Sequence, residues 1–186
     1  MPIRRLERPA PSEYNPRFDP EITLVPDAGD FPGLLRAQFE ETSRFIADLG
    51  EENAAVRYAP EKWTVREVVG HMADVERVLS YRALRIARGD MTVLPGFDET
   101  AYVPSAQFEA RTLASVMTEF RAVREATATL VEGLPDTAGA TMGNVGSGQM
   151  SVRALLYLIA GHELHHLALF RERYLPHTSL ASHAKV

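Results

Sequence analysis

Three of the six histidines in this 186-residue chain fall within five positions, His162, His165 and His166. They lie in a run of strong helix formers, SVRALLYLIAGHELHHLALFRERY, residues 151 to 174, with no proline and one internal glycine, Gly161. Leu155, Ile159, His162, His166 and Leu169 recur at steps of four, three, four and three. That spacing lays side chains along one face of a helix. Two imidazoles thus occupy a stripe where a core-facing helix carries apolar groups, and burying such rings is unfavourable unless they are bonded or liganded. His162 and His166, one turn apart, are placed to close on a single metal ion.

A second segment has the same irregularity. Val68, His71, Val75 and Val78 fall at steps of three, four and three, again with a histidine inside the apolar stripe. If the two helices are neighbours, three neutral imidazoles converge. Three protein ligands with an open position for water or substrate is a recurrent form of catalytic metal site. Nitrogen donors suit zinc, nickel, iron or cobalt better than magnesium or calcium, and zinc or nickel is the expected ion. The alternative is three core histidines bonded to carbonyls or carboxylates. Asp74, one turn after His71, is either a partner for a ring nitrogen or a surface charge. His165 is a substitute ligand, and Glu163 points about 100 degrees away from His162 around the helix.

HELHH at 162 to 166 also satisfies H-E-x-x-H, the zinc peptidase motif, in which the glutamate is the general base. The extended form of that motif has glycine and histidine where this chain has Leu169 and Glu172. The residues after Tyr174 offer no further helix for a later ligand, and no upstream strand is expected to hold an extended peptide. A metallopeptidase is the remoter alternative.

Composition narrows the field. The net charge is −5 and basic residues do not collect in a block, so no nucleic-acid partner is expected. No apolar run reaches membrane-spanning length. The segment MPIRRLERPAPSEYNP lacks the apolar core of a secretory signal, so a cytoplasmic location is expected. Cysteine is absent, which excludes disulfides, thiolate ligands and cysteine nucleophiles.

Four amphipathic helices are predicted to position the histidines: about Asp30 to Leu49, Val65 to Arg88, Thr112 to Val131, and Ser151 to Tyr174. Asp30 caps the first, and Gly50 ends it. Thr64 and Glu67 form a capping box for the second, with Trp63 and Val68 as its hydrophobic staple. Leu113, Val116, Phe120, Val123, Thr127 and Leu130 mark the buried side of the third. No strand series is evident. Four apolar stripes that must face one another imply an all-α four-helix bundle. Residues 1–28 are read as an extended arm or loop, which the apolar cluster Ile22, Leu24 and Val25 either tacks onto the body or leaves as a loosely ordered terminus, 29–176 as the bundle, and 177–186, with His177 and His183, as a flexible tail of no assigned role. The 89–110 link is long enough to be functional. As a lid it would offer Phe97, Tyr102 and Phe108 as an apolar wall and Asp98 or Glu99 as a polar contact; otherwise it packs outside the bundle or builds a homodimer contact. The glycines of the 135–150 link fit no phosphate loop.

The stretches KWTVREVVGHMADVERVLSYRALRIARGD (62–90), LPGFDETAYV (94–103) and residues 151–174 resemble the DinB family of the DinB/YfiT-like metal-dependent enzymes, over about residues 12–176. The resemblance implies a bundle of up-down-down-up order and a divalent metal held by three histidines, which fall on His71, His162 and His166. It implies an enzyme acting on a small molecule, either by hydrolysis with metal-activated water or by transfer using a low-molecular-weight thiol such as bacillithiol or mycothiol. With no cysteine in the chain, any such sulfur arrives with a ligand. A non-catalytic metal-binding or structural role is the alternative.

Overall fold

The computed structural model describes residues 5–146 and 148–183, with side chains through Ala181. Its helices are α1 (Asp19–Ile22), α2 (Phe31–Leu49), α3 (Val65–Ala87), α4 (Glu99–Ala106), α5 (Leu113–Glu132), α6 (Val152–Leu169) and α7 (Leu180–His183), and its strands are β1 (Met142–Val145) and β2 (Gly148–Ser151). The four long helices begin where the sequence supplies caps. The Asp30 carboxylate accepts from the Gly33 N–H at 3.2 Å. Thr64 Oγ1 accepts from the Glu67 N–H, and Glu67 Oε2 accepts from the Thr64 N–H at 2.7 Å, completing the predicted capping box. Thr112 and Ser151 cap α5 and α6 in the same way.

Side-chain pairs fix the directions of the helices. Phe31 meets Tyr157 and Phe45 meets Phe170, so α2 and α6 run parallel. Arg36 reaches Glu132 while Glu40 takes Arg121, so α2 and α5 are antiparallel. Gly70 lies under Phe108 and Glu76 meets Arg124, so α3 and α5 run parallel. His71 faces His166 and Ile86 faces Gly143 just upstream of α6, so α3 and α6 are antiparallel. The four-helix bundle is therefore up-down-down-up. Parallel neighbours α3 and α5 require a crossover, which is why the link between them is long.

The remaining segments carry more structure than the sequence suggested. The arm folds into turns at Pro11–Glu13 and Pro16–Phe18 and then α1, each with a proline in its first two positions. Leu6, Tyr14, Ile22 and Val25 are buried, and Tyr157 donates a hydrogen bond to the Leu6 carbonyl at 3.0 Å. The crossover holds α4, capped by Asp98, which accepts from the Thr100 and Ala101 N–H groups. The 135–150 link, expected without strands, contains the antiparallel hairpin β1–β2, with Met142 opposite Ser151 and Val145 opposite Gly148. Strands of four residues with glycines in both are too short to display a period of two. Beyond Leu169, α6 continues as a π-helical turn, Phe170–Tyr174. The following segment is tied down where Asn53 Oδ1 accepts from the Ser179 N–H at 3.1 Å, and Thr178 is buried. His177 is exposed, and Ala184 to Val186 of the expected tail lie outside the described residues. Among the described residues no helix is long and apolar enough to cross a membrane.

The core is divided. One apolar cluster joins the arm, Phe31, Leu35, the second half of α3 and the first half of α6. The other joins Phe39, Ile46, the first half of α3, Val116, Phe120 and Phe170. At the level between them the helices bury polar groups instead: Gln38, Thr42, His71, Glu76, Arg124, Thr127, Glu163 and His166.

Candidate metal centre

Within that polar layer α3 and α6 bring His71, His162 and His166 together. His162 Nε2 lies 3.1 Å from His71 Nε2 and 3.1 Å from His166 Nε2. Among the described residues these three form the one group of potential ligand atoms lying within 4.8 Å of one another. The spacing is that of a coordination sphere. Nitrogen–metal bonds of about 2.1 Å place adjacent donors about 3.0 Å apart at a right angle and about 3.4 Å apart in a tetrahedron. Neutral His162 Nε2 offers one lone pair or one N–H, too little to bond both neighbours well, whereas one ion accepts all three lone pairs.

The rings are held in the form a metal needs. Burial lowers His71 to about 4. Burial first, and then the charges of neighbouring histidines, hold His162 and His166 well below the ordinary imidazole range. All three are therefore neutral at physiological pH. His166 Nδ1 is buried with no hydrogen-bond partner, so the polar engagement of that ring is at Nε2, in the cluster. The Trp63 ring stands 4.7 Å from the His71 ring, and its carbonyl accepts a 2.8 Å hydrogen bond from Tyr174. Trp63 packs against the same apolar cluster as Val68, and it also walls the centre.

A glycine precedes the clustered histidine in both helices, Gly70 before His71 and Gly161 before His162. Each admits a close approach. A methyl group at Gly70 would overlap the Phe108 ring, and one at Gly161 would overlap the Glu21 carbonyl. The crossover and the arm are thus pressed onto the helices beside these histidines.

The other predicted participants lie elsewhere. His165 is exposed and outside the cluster. Asp74 is 3.3 Å from Arg77, an ion pair along α3, and is not bonded to His71. Glu163 is buried with its carboxylate 2.6 Å from Arg124, so the general-base position of the H-E-x-x-H motif is committed to a core ion pair.

A cavity of about 270 Å³ opens on the histidines. His71 and His162 line it, with Val75, Leu79 and Arg82 of α3 and Leu158 of α6. Gly96, Phe97 and Glu99 of the crossover also line it. Tyr102 instead is exposed against Phe97, Phe108 is in the core, and Asp98 is spent on capping α4. The arm adds Arg17, Phe18 and Glu21.

A sequence profile of the DinB superfamily matches residues 34–170. The chain belongs to the DinB superfamily. Among solved structures it is similar to YfiT from Bacillus subtilis, a four-helix bundle of unusual topology, with a TM-score of 0.64 and 18% identity over 90% of this chain and 91% of that one. No curated protein sequence matches it. On this DinB-superfamily bundle, sequence reasoning missed the arm's place on the cavity and the buried ion layer. The layer had left a signal: Arg124 follows Phe120 by four and Glu76 follows Met72 by four, charges of opposite sign on two apolar stripes. The arm had left its apolar cluster: Ile22 and Val25 are buried against the body as that cluster suggested, while Leu24 is exposed.

Proposed function

We propose that this DinB-superfamily protein is a metal-dependent enzyme acting on a small molecule, with one zinc or nickel ion held by His71, His162 and His166. One observation carries the reading: three neutral imidazole nitrogens at coordination spacing, two of whose rings also line a covered cavity. A divalent ion there supplies Lewis acidity and lowers the pKa of a bound water toward neutrality. The chain supplies the rest. Val75, Leu79 and Leu158 give the ligand an apolar channel, and Phe97 and Phe18 cover it and limit the entry of water. Glu21 and Glu99 are the carboxylates on the cavity wall, while Glu163 is held by Arg124. The reaction best served is hydrolysis of a small substrate, and YfiT is described as a probable metal-dependent hydrolase.

Elemental analysis of untagged protein is expected to give one equivalent of metal per chain, lost in His162→Ala and in His71→Ala. The cobalt-loaded form separates the chemistries. Hydrolase substrates or inhibitors should change its visible spectrum. A response to low-molecular-weight thiols alone would redirect the reading to thiol transfer. Stoichiometric metal in a variant lacking all three histidines would end the proposal.

A further inference from the structure

Among the described residues two arginines are buried, Arg82 and Arg124, exposed by 7% and 2%. Arg124 bonds two carboxylates. Arg82 bonds none. Its Nη2 donates to the Pro95 carbonyl at 2.6 Å, and its guanidinium carbon lies 5.0 Å from the centre of the Phe97 ring. No carboxylate is among the groups that act on its charge; burial first and then the positive charge of Arg17 act against it, and only the Tyr102 phenol acts for it. Arg17 lies on the wall of the same cavity, also without an ion pair among the described residues. A buried charge lacking its partner is strongly unfavourable, and the remaining N–H groups of Arg82 belong to a residue that lines the cavity.

We propose that Arg82, with Arg17 beside it, is the receptor for a carboxylate on the small molecule that enters this cavity. Along α3, His71 and Arg82 are eleven positions apart, a rise of about 16 Å. Between the two residues the α3 wall is Val75 and Leu79, faced by Leu158. The ligand therefore has three parts: a carboxylate at Arg82, an apolar middle of several carbons, and a reacting group at the histidines. It is small, since 270 Å³ holds roughly nine waters at about 30 Å³ each. Glu21 and Glu99 on the same wall repel a dianion and so favour a singly charged carboxylate over a phosphate monoester. The reacting end rests on the metal reading above. The anion subsite does not, and it can be tested with the metal removed.

The test uses the full chain, stripped of metal by a chelator, titrated calorimetrically with hexanoate, hexanamide and hexyl phosphate. Hexanoate is expected to bind about tenfold or more tightly than hexanamide, the worth of a charge-assisted bond, and more tightly than hexyl phosphate. Arg82→Gln should abolish the preference for acid over amide. Arg82→Lys, which keeps the charge but loses the planar fork, should retain part of it. If Arg82→Gln does not fold, Arg17→Gln and the wild-type preference carry the test. Equal affinity of the wild type for hexanoate and hexanamide overturns the proposal, as does absence of hexanoate binding at millimolar concentration or a preference that survives both glutamine variants. Because metal is absent throughout, failure of the metal assignment leaves these outcomes unchanged.

Discussion

On the α5 side of the three histidines, Arg124 lies between Glu76 and Glu163, with a further bond to the Leu35 carbonyl at 2.9 Å. On the arm side, Arg82 and Arg17 line a cavity together with Glu21 and Glu99, and no ion pair joins the four. His162 borders both regions. In the closed region the charge of Arg124 is matched: burial alone would weaken its hold on its proton, and the two carboxylates reverse that. That region has no room for a ligand and no unspent charge. The open region has both. Within one polar layer, a charge completed by the chain itself is a structural part, and a charge left incomplete beside a cavity is available to a ligand.

The closed region gives the largest expected effect. Arg124→Met leaves Glu76 and Glu163 buried without a counter-charge and should lower unfolding free energy by about 3–5 kcal/mol, read by denaturant titration. Replacing all three at once with Met, Leu and Leu removes the buried charges together and should be near neutral or stabilising by about 1–4 kcal/mol. A triple variant as unstable as the single one would mean that the network does more for the fold than satisfy its own charges.

That contrast also explains what was legible in the sequence. The four helices were, because caps such as Asp30 and the Thr64–Glu67 box sit beside apolar stripes of helical period. The convergence of His71, His162 and His166 was, because a histidine interrupts an apolar stripe visibly. Arg124 and Glu76 interrupt their stripes in the same manner, but a charge on a helix usually marks its solvent face, so the pair could be read only once α3 and α5 were known to be neighbours. The cavity was half legible: the crossover's length drew attention to it, and its Phe97 and Glu99 line the cavity. The arm's attachment was legible in Ile22 and Val25, but its place on the cavity was not. Its position depends on Gly161 admitting the Glu21 carbonyl, a contact between segments far apart in sequence, and Gly161 alone had shown only an odd glycine in a helix.

Gly161→Ala therefore perturbs the open region and spares the closed one. In an isolated helix this change is favourable by about 1 kcal/mol. Here the added methyl meets backbone of α1, which has no rotamer with which to yield, and the net effect should be a loss of about 1–3 kcal/mol. The arm, residues 5–25, should become accessible to limited proteolysis while metal stoichiometry is retained. A variant more stable than wild type, with the arm still protected, would show that α1 does not seat on α6 as described.

Burial itself can be isolated with a third arginine. Arg36 also bonds two carboxylates, Glu125 at 2.7 Å and Glu132 at 2.6 Å, yet its side chain is 36% exposed and its partners more so. The pairing with two carboxylates and its shortest bond lengths match those of Arg124, which adds only the Leu35 carbonyl. Water differs: it screens the Arg36 pairs, and it solvates both glutamates again when the arginine is removed. Arg36→Met should therefore cost at most about 1 kcal/mol, and less at high salt, where exposed pairs are screened further. Both methionine variants should be measured by the same denaturant titration at low and high salt. If the chemistry of the pair governs stability, the two losses will be similar. If the polar layer behaves as described, the Arg36 loss is the smaller by several fold and falls with salt, while the Arg124 loss is nearly independent of it.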